Sequence, residues 1–395
     1  MMVTGDWRKE GGRSMVYVTT KYAPAHRQMT IEEMFANPFG EHHRSRRSDS
    51  ATRTVRFDDR VSDRLLDSID VSFLIKTLRD FNESTKELRE QDRDSLYTKF
   101  YIPKKSGGLR PIDAPCQELK SALRVLQSIF TDRFHASYHT SAYAYVPGRS
   151  TVDALKAHQA NESKWFLSLD LHNFFGSTTL DFIMQQFSMV FPFSEIVKYP
   201  AGVEELRTAI SLATKDGVLP QGTPISPAIT NIMMIPIDYE LTKRLRDFDR
   251  NHFVNTRYAD DFDISCKYDF DYHKVESLVK EILESFHAPF VLNEDKTHYC
   301  SSSGKNYQLG LLLNKDNVIT VGHKAKRQFM NMIYAYGMDR KNGKPWDLHD
   351  VQVLKGHYDY YHGVEKETTE KIMEYMSRKL KVNNVLNLIN HDLRA

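Results

Sequence analysis

Two consecutive aspartates, Asp260 and Asp261, stand between two runs that read as β-strands, HFVNTRY and FDISCKY. A pair of acids in a turn is ordinarily solvated. Flanking strands this apolar draw the turn towards a core, and a carboxylate taken out of water needs a partner. The same problem recurs upstream, where Asp170 ends the apolar run WFLSLD, whose Trp, Phe and Leu content reads as a short buried strand. Three carboxylates gathered from strand ends repel one another unless divalent cations neutralise them, and oxygen-only ligands favour magnesium. The fold is therefore expected to bring residues 170, 260 and 261 together although they are widely separated in the chain. Two magnesium ions held there could activate a 3′-hydroxyl, neutralise an α-phosphate in flight and hold a departing pyrophosphate, which is nucleotidyl transfer.

Composition narrows the class of protein. The 395 residues are 41% hydrophobic, enough for a sizeable core in two or three subdomains. Lys and Arg number 54 against 52 Asp and Glu, so affinity for nucleic acid has to come from local basic surface rather than bulk charge. Three scattered cysteines, Cys116, Cys266 and Cys300, provide neither a disulfide framework nor a CxxC zinc site. No apolar run approaches the roughly 18 to 20 residues of a spanning helix, and the N-terminus lacks a signal-peptide core. These features predict a cytoplasmic protein with no membrane partner.

Along the chain, residues 1–60 carry little apolar periodicity and the run EHHRSRRSDSATRTVR, which predicts a partly disordered basic arm that either contacts RNA or DNA or is a solvated linker. Helical spacing begins at DRLLDSIDVSFLIKTLRDF, with Ser68 and Ser72 as candidate caps. YTKFYIPKKSGGLRPIDA predicts a hairpin with a cationic tip, because Gly107 and Gly108 allow the positive φ of a tight turn. Helices are expected over QELKSALRVLQSIFTDRF and STVDALKAHQA, and two more before the loop GVLPQGTPISP. A single apolar helix, AITNIMMIPIDYELTKRL, should follow. After the Asp260-Asp261 hairpin come an amphipathic helix, HKVESLVKEILESF, a further hairpin in NYQLGLLLNKDNVITVG, and a mostly helical remainder from about 323. His158, His298 and His323 have no metal-ligand spacing. Asp263 should share a strand face with Asp261, either supporting the site or serving as a hydrogen-bonded structural acid.

Asp170 in SLDLHNFF, the loop GVLPQGTPISP and the hairpin RYADD occur in an order that resembles the reverse transcriptases, particularly those of bacteria, over roughly 97–320. The resemblance implies an α+β right-hand polymerase: fingers over 61–160, a palm of antiparallel sheet and helices over 161–320 with fingers-type helices inserted near 180–215, and a helical thumb over 321–395. It also implies two Mg2+ ions, with Mn2+ as a substitute, held by Asp170, Asp260, Asp261 and the carbonyl of Leu171. Lys104, Lys105 and Arg110 resemble the fingers residues that fold over an incoming triphosphate, where a guanidinium grips phosphate in two places. Phe175 resembles the steric gate that excludes a ribose 2′-hydroxyl. Gln221 and Gly222 resemble the loop beneath the nascent base pair, and Lys296 the lysine that donates a proton to pyrophosphate. YQLGLLL, including Leu309 and Gly310, resembles the primer grip. Tyr258, Lys324, Lys326 and Arg327 are placed as nucleic-acid contacts, and Tyr358, Tyr360 and Tyr361 as a half-buried thumb face or a stacking surface.

The resemblance implies an RNA-directed DNA polymerase working with deoxynucleoside triphosphates, an RNA template and a DNA product. Fewer than about 20 residues follow the last helical run, so no nuclease domain is expected there. That size is similar to retron enzymes and related antiviral ones, with a dedicated noncoding RNA and an effector protein as expected partners. DALKAH at 153–158 and YQLG at 307–310 depart from the retron patterns NAxxH and VTG, so retron-type priming is not implied. Two other readings are a template-independent or protein-primed polymerase of abortive-infection type, and a non-catalytic RNA-binding module.

Overall fold

A computed structural model of the chain describes residues 70–103, 107–134, 136–248, 252–304 and 306–394, with the backbone alone at Tyr307, and a two-residue strand pair, Lys9–Glu10 with Arg13–Ser14. The rest of the N-terminal arm, the first part of the following helical pattern with Ser68, and Lys104 and Lys105 lie outside the described residues.

The first long helix, Val71–Ser84, is capped by Asp70, whose carboxylate accepts the Phe73 amide at 3.1 Å. Ser72 instead lies inside the first turn. Aspartate suits the N-cap better because it satisfies an orphan amide and adds negative charge at the positive end of the helix dipole. The glycine-tipped hairpin forms as its pattern predicts: Tyr97–Pro103 pairs antiparallel with Leu109–Pro115 from Tyr97↔Pro115 to Pro103↔Leu109.

Prolines account for two departures from expectation. Three helical segments, Leu180–Phe187, Phe193–Ile196 and Pro200–Leu212, precede the irregular loop where two were expected, with Pro192 and Pro200 at the starts of the second and third. The apolar helix expected from Ala228 is two, Ser226–Met233 and Ile235–Phe248, parted at Met234. Pro236 has no amide to donate to the preceding turn, and its ring crowds the carbonyl four residues back, so one continuous ladder cannot form.

A four-stranded sheet has the order Phe253–Tyr258, Asp261–Cys266, Trp165–Asp170, His298–Ser301. Only Ala259 and Asp260 separate its first two strands, and this connection holds the acidic pair at the sheet's end.

The chain divides into two compact units. One comprises Met1–Arg149, Ser168–Ile264 and Asp271–His298 and contains all three carboxylates. The other comprises Ser150–Leu167, Ser265–Phe270 and Tyr299–Ala395. In this second unit, helix Thr151–Ala160 opens with a capping box between Ser150 and Asp153. The expected single hairpin after Asn306 is a three-stranded ribbon, Tyr307–Gln308, Leu311–Leu313 and Ile319–Thr320. Leu309 and Gly310 both have positive φ, 54° and 83°, and that two-residue turn lets Gln308 pair directly with Leu311. Four helices follow, Gly322–Lys341, Leu348–Val364, Lys366–Lys379 and Val385–Asp392, around a core that includes Phe329, Ile333, Leu354, Met376 and Ile389. No helix among the described residues is long and apolar enough to cross a membrane.

Candidate active site

Backbone hydrogen bonds bring the end of the Asp170 strand beside the acidic turn. The Leu171 amide donates to the Asp260 carbonyl at 3.0 Å, tying the end of strand Trp165–Asp170 to the acidic turn. On the other side the Asn293 amide donates to the Asp170 carbonyl at 2.8 Å. Asp170 itself is buried at 6% exposure, and its carboxylate is engaged: Lys296 Nζ donates to Oδ1 at 2.7 Å and Asn293 Nδ2 to Oδ2 at 3.2 Å.

The electrostatics of the site are those of crowded, desolvated acids. Burial pushes the Asp261 carboxyl up to about 7, with further upward pressure from Asp260, Asp263 and Asp170 and relief from Lys296. Burial also raises Asp260, assisted by the charge of Asp170. Asp263 is raised to about 7 by burial, against the lowering effect of the Ser168 hydroxyl, which donates to its Oδ1 at 2.9 Å. It is thus a hydrogen-bonded acid, and its charge also bears on Asp261. The Lys296 ammonium is held above its ordinary value chiefly by its hydrogen bond to Asp170.

No group of three or more His, Cys, Asp or Glu among the described residues stands ready-made to hold a metal ion. The sequence predicts convergence, and the backbones do converge, but the Asp170 carboxylate is turned to Lys296 and Asn293. The donor chemistry still fits a hard divalent cation. It consists of oxygens alone, with excess negative charge that burial makes costly, and a divalent cation would supply the charge that offsets it.

Phe175 is half-buried in the short helix Phe174–Ser177, 5.6 Å from the ring of Phe174. Phe174 anchors that turn by packing on Phe290 at 5.0 Å, leaving Phe175 the more accessible ring. Arg110 is exposed on strand Leu109–Pro115, and its charge lowers the Asp260 carboxyl. Tyr258 is half-buried at the strand end before the turn. Tyr145, which sequence reasoning passed over, has φ 59° and is 57% exposed; its hydroxyl is raised by burial and by the charges of Asp260 and Tyr258.

Gln221 and Gly222 lie against the hairpin. The Asp113 amide donates to the Gln221 carbonyl at 2.8 Å, and a Cβ on Gly222 would come within 2.7 Å of Ile112 Cγ2 and 2.9 Å of the Asp113 carbonyl. With φ at 117°, Gly222 is required by its contact with strand Leu109–Pro115, whatever else approaches it. Gly222→Ala is expected to cost about 2 kcal/mol from strain plus overlap. Gly217→Ala has positive φ and open space around it, and should cost about half as much. Denaturant midpoints at constant slope would measure both. Equal losses would remove the packing argument.

The remaining predicted contacts belong to the second unit. Leu309 and Gly310 form the ribbon turn, and Lys324 and Arg327 are exposed in the first turns of helix Gly322–Lys341. Lys326 differs from them. Its ammonium bonds Glu365 at 2.7 Å, and Glu365 also accepts from Thr320 and the Val321 amide, so this lysine is committed to an internal partner rather than to nucleic acid. Tyr361 packs edge-on against Phe329 at 5.1 Å and Tyr358 stacks on His362, whereas Tyr360 is exposed. His158 is fully buried with Nδ1 2.6 Å from the Ser265 hydroxyl, and burial lowers it to about 3, which makes it a neutral structural residue.

Comparison with known proteins gives a consistent family. The chain is 26% identical over 321 residues to the retron Ec83 reverse transcriptase of Escherichia coli, covering 77% of this chain and 94% of that protein. It is 28% identical over 233 residues to the Escherichia coli retron Ec73 enzyme, covering 58% and 72%, and 27% identical over 301 residues to the Myxococcus xanthus retron Mx162 enzyme, covering 69% and 59%. Among solved structures, apo telomerase from Candida tropicalis aligns over 77% of this chain and 63% of its own length, with 10% identity and a TM-score of 0.41. The profile of the reverse transcriptase (RNA-dependent DNA polymerase) family matches residues 102–330, more than half the sequence, and the chain belongs to that family.

Proposed function

We propose that this RNA-directed DNA polymerase extends a primer 3′-hydroxyl by two-metal nucleotidyl transfer, with Asp170, Asp260 and Asp261 and the Leu171 carbonyl holding the ions. The observation that carries the reading is the Leu171 to Asp260 backbone bond, which places the end of one strand beside the acidic turn of the next. When bound, Mg2+, or Mn2+ in its place, supplies charge neutralisation at the phosphates and lowers the hydroxyl pKa. The protein's own groups do the rest. Lys296 holds a proton at Nζ for the departing pyrophosphate, and its present bond to Asp170 keeps the ammonium within the site. Arg110, with the sequence neighbours Lys104 and Lys105, grips the triphosphate. Gln221 and Gly222 support the nascent base pair, and Phe175 fills the space a 2′-hydroxyl needs.

Replacing Phe175 by Ala is therefore expected to raise ribonucleotide incorporation relative to deoxynucleotide by about tenfold or more, since the discrimination is steric and amounts to roughly 1.4 kcal/mol per decade. Single-nucleotide extension with matched dNTP and rNTP measures the ratio. An unchanged ratio places the gate elsewhere.

The retron names of the relatives support a dedicated noncoding RNA as template, and a role in phage defence with an effector protein is the setting we propose for it. Two experiments test these readings. Purified chain, primed RNA, Mg2+ and deoxynucleotides should give template-complementary DNA, and the D260N/D261N variant should give none. Sequencing the nucleic acid that copurifies should return a structured RNA joined to short DNA. Untemplated product, or DNA covalently attached to protein, would favour the abortive-infection mode instead.

A further inference from the structure

The strand that leads into the acidic turn carries a residue that an apolar strand ordinarily excludes. Arg257 is 1% exposed, and its guanidinium is wholly enclosed. Its fork is met by Asp238 in two parallel bonds, Nε to Oδ1 and Nη2 to Oδ2, both at 2.8 Å. That bidentate pairing offsets the burial of both charges. The third arm is used differently: Nη1 donates to Asn231 Oδ1 at 3.2 Å and to the carbonyl of Ala259 at 3.0 Å. Asn231 is fixed in turn, donating from Nδ2 to the Ala144 carbonyl at 2.8 Å, and the Arg257 backbone is strapped to Ser141 and Tyr143.

Ala259 is the residue that needs holding. It has φ 59°, in the left-handed region that a Cβ disfavours, and it is buried with no freedom to relax outwards. The two carbonyls of the turn are thus pinned in succession, Ala259 by the guanidinium and Asp260 by the Leu171 amide.

We propose that Arg257 is a positioning residue: its guanidinium, aimed by Asp238, clamps the Ala259 carbonyl and thereby fixes the left-handed turn that sets where the Asp260 and Asp261 carboxylates stand before a cation arrives. The consequence for catalysis rests on the assignment of those aspartates proposed above. The clamp itself does not, because it can be read in metal-free protein.

Arg257→Lys keeps the charge and can pair with Asp238, but a single ammonium cannot span both Asp238 oxygens and the Ala259 carbonyl. In this variant, without metal, amide exchange at 259–262 should accelerate at least tenfold while helix Val71–Ser84 is unchanged. Mn2+ binding, measured by the loss of free-ion signal in the absence of nucleic acid, should weaken about fivefold or more. Primer extension should lose kcat with the nucleotide KM within twofold. Adding Ala259→Gly to Arg257→Lys is the discriminating step, since glycine takes positive φ without the Cβ penalty and needs the clamp less. The double variant should recover most of the Mn2+ affinity and kcat. If Arg257→Lys accumulates poorly, R257Q/D238N removes both charges together, leaves none uncompensated, and should show the same local loosening.

Exchange that rises equally throughout the protein, with no rescue by glycine, would show Arg257 to be a core ion pair only and overturn the proposal. Faster exchange at the turn with unchanged Mn2+ affinity would also overturn it. Failure of the polymerase assignment would be visible separately, as D260N/D261N retaining primer extension.

Discussion

Asp261→Asn is expected to cut primer extension by about 10²- to 10³-fold while making the metal-free protein more stable. The two effects share one cause. Burial and three neighbouring acids hold the Asp261 carboxyl up at about 7, far above the ordinary carboxylate range. Between about pH 4 and 7 the unfolded chain has already released this proton while the folded chain retains it. The group therefore favours folding at the acid end, withdraws that support as pH rises towards 7, and above 7 burdens the native state with an ionised carboxylate among like charges. Asparagine has the same shape and removes that burden. Because the group is partly solvated, the gain at pH 8 without metal should be about 1 to 2 kcal/mol rather than the larger figure the full shift would give. Unfolding at pH 8 with a chelator and single-turnover extension with Mg2+ test the two halves. Loss of stability together with activity would mean that Asp261 is a structural acid.

A site whose residues work against the fold needs a scaffold that over-determines it. Asn293 bonds Asp170 through both its backbone and its side chain, and Arg257 binds the turn's carbonyl. The hairpins themselves were legible from local pattern, since apolar runs either side of Gly107-Gly108 or Ala259-Asp260 leave the chain little else to form. Asp170 was legible for the same reason, as an acid ending a strand of Trp, Phe and Leu.

What the letters did not convey is partnership. Arg257 and Asp238 are 19 residues apart on a strand and a helix, and nothing local says that one neutralises the other. An arginine in an apolar strand and an aspartate inside IPIDYEL were each a warning that a buried counter-charge existed. Lys326 read as a free cation on a basic helix start, yet Glu365, 39 positions on, claims it. The break at Met234 was within reach, because Pro236 was visible and its effect on the preceding turn is general.

Metal affinity should rise steeply with pH across the range where these carboxyls titrate. A cation competes with the proton for Asp261, so below about pH 7 each unit of acidity should weaken apparent binding about tenfold for every proton displaced. Asp263 lies two residues away and is also raised to about 7, chiefly by burial, and its charge acts on Asp261. Binding at Asp261 should therefore displace about one proton between pH 6 and 7, from a carboxyl that the Asp263 charge helps to hold up. Asp263→Asn removes that charge and should move the rise of log affinity to lower pH without changing its slope. Mn2+ binding without nucleic acid, measured from pH 5.5 to 8.5 in both proteins, reads the slopes directly. The Mg2+ half-saturation of primer extension should follow the same curve. A flat wild-type profile between pH 6 and 8 would mean that Asp261 is already ionised there, and that burial of the acidic turn does not govern how the site takes up its ions.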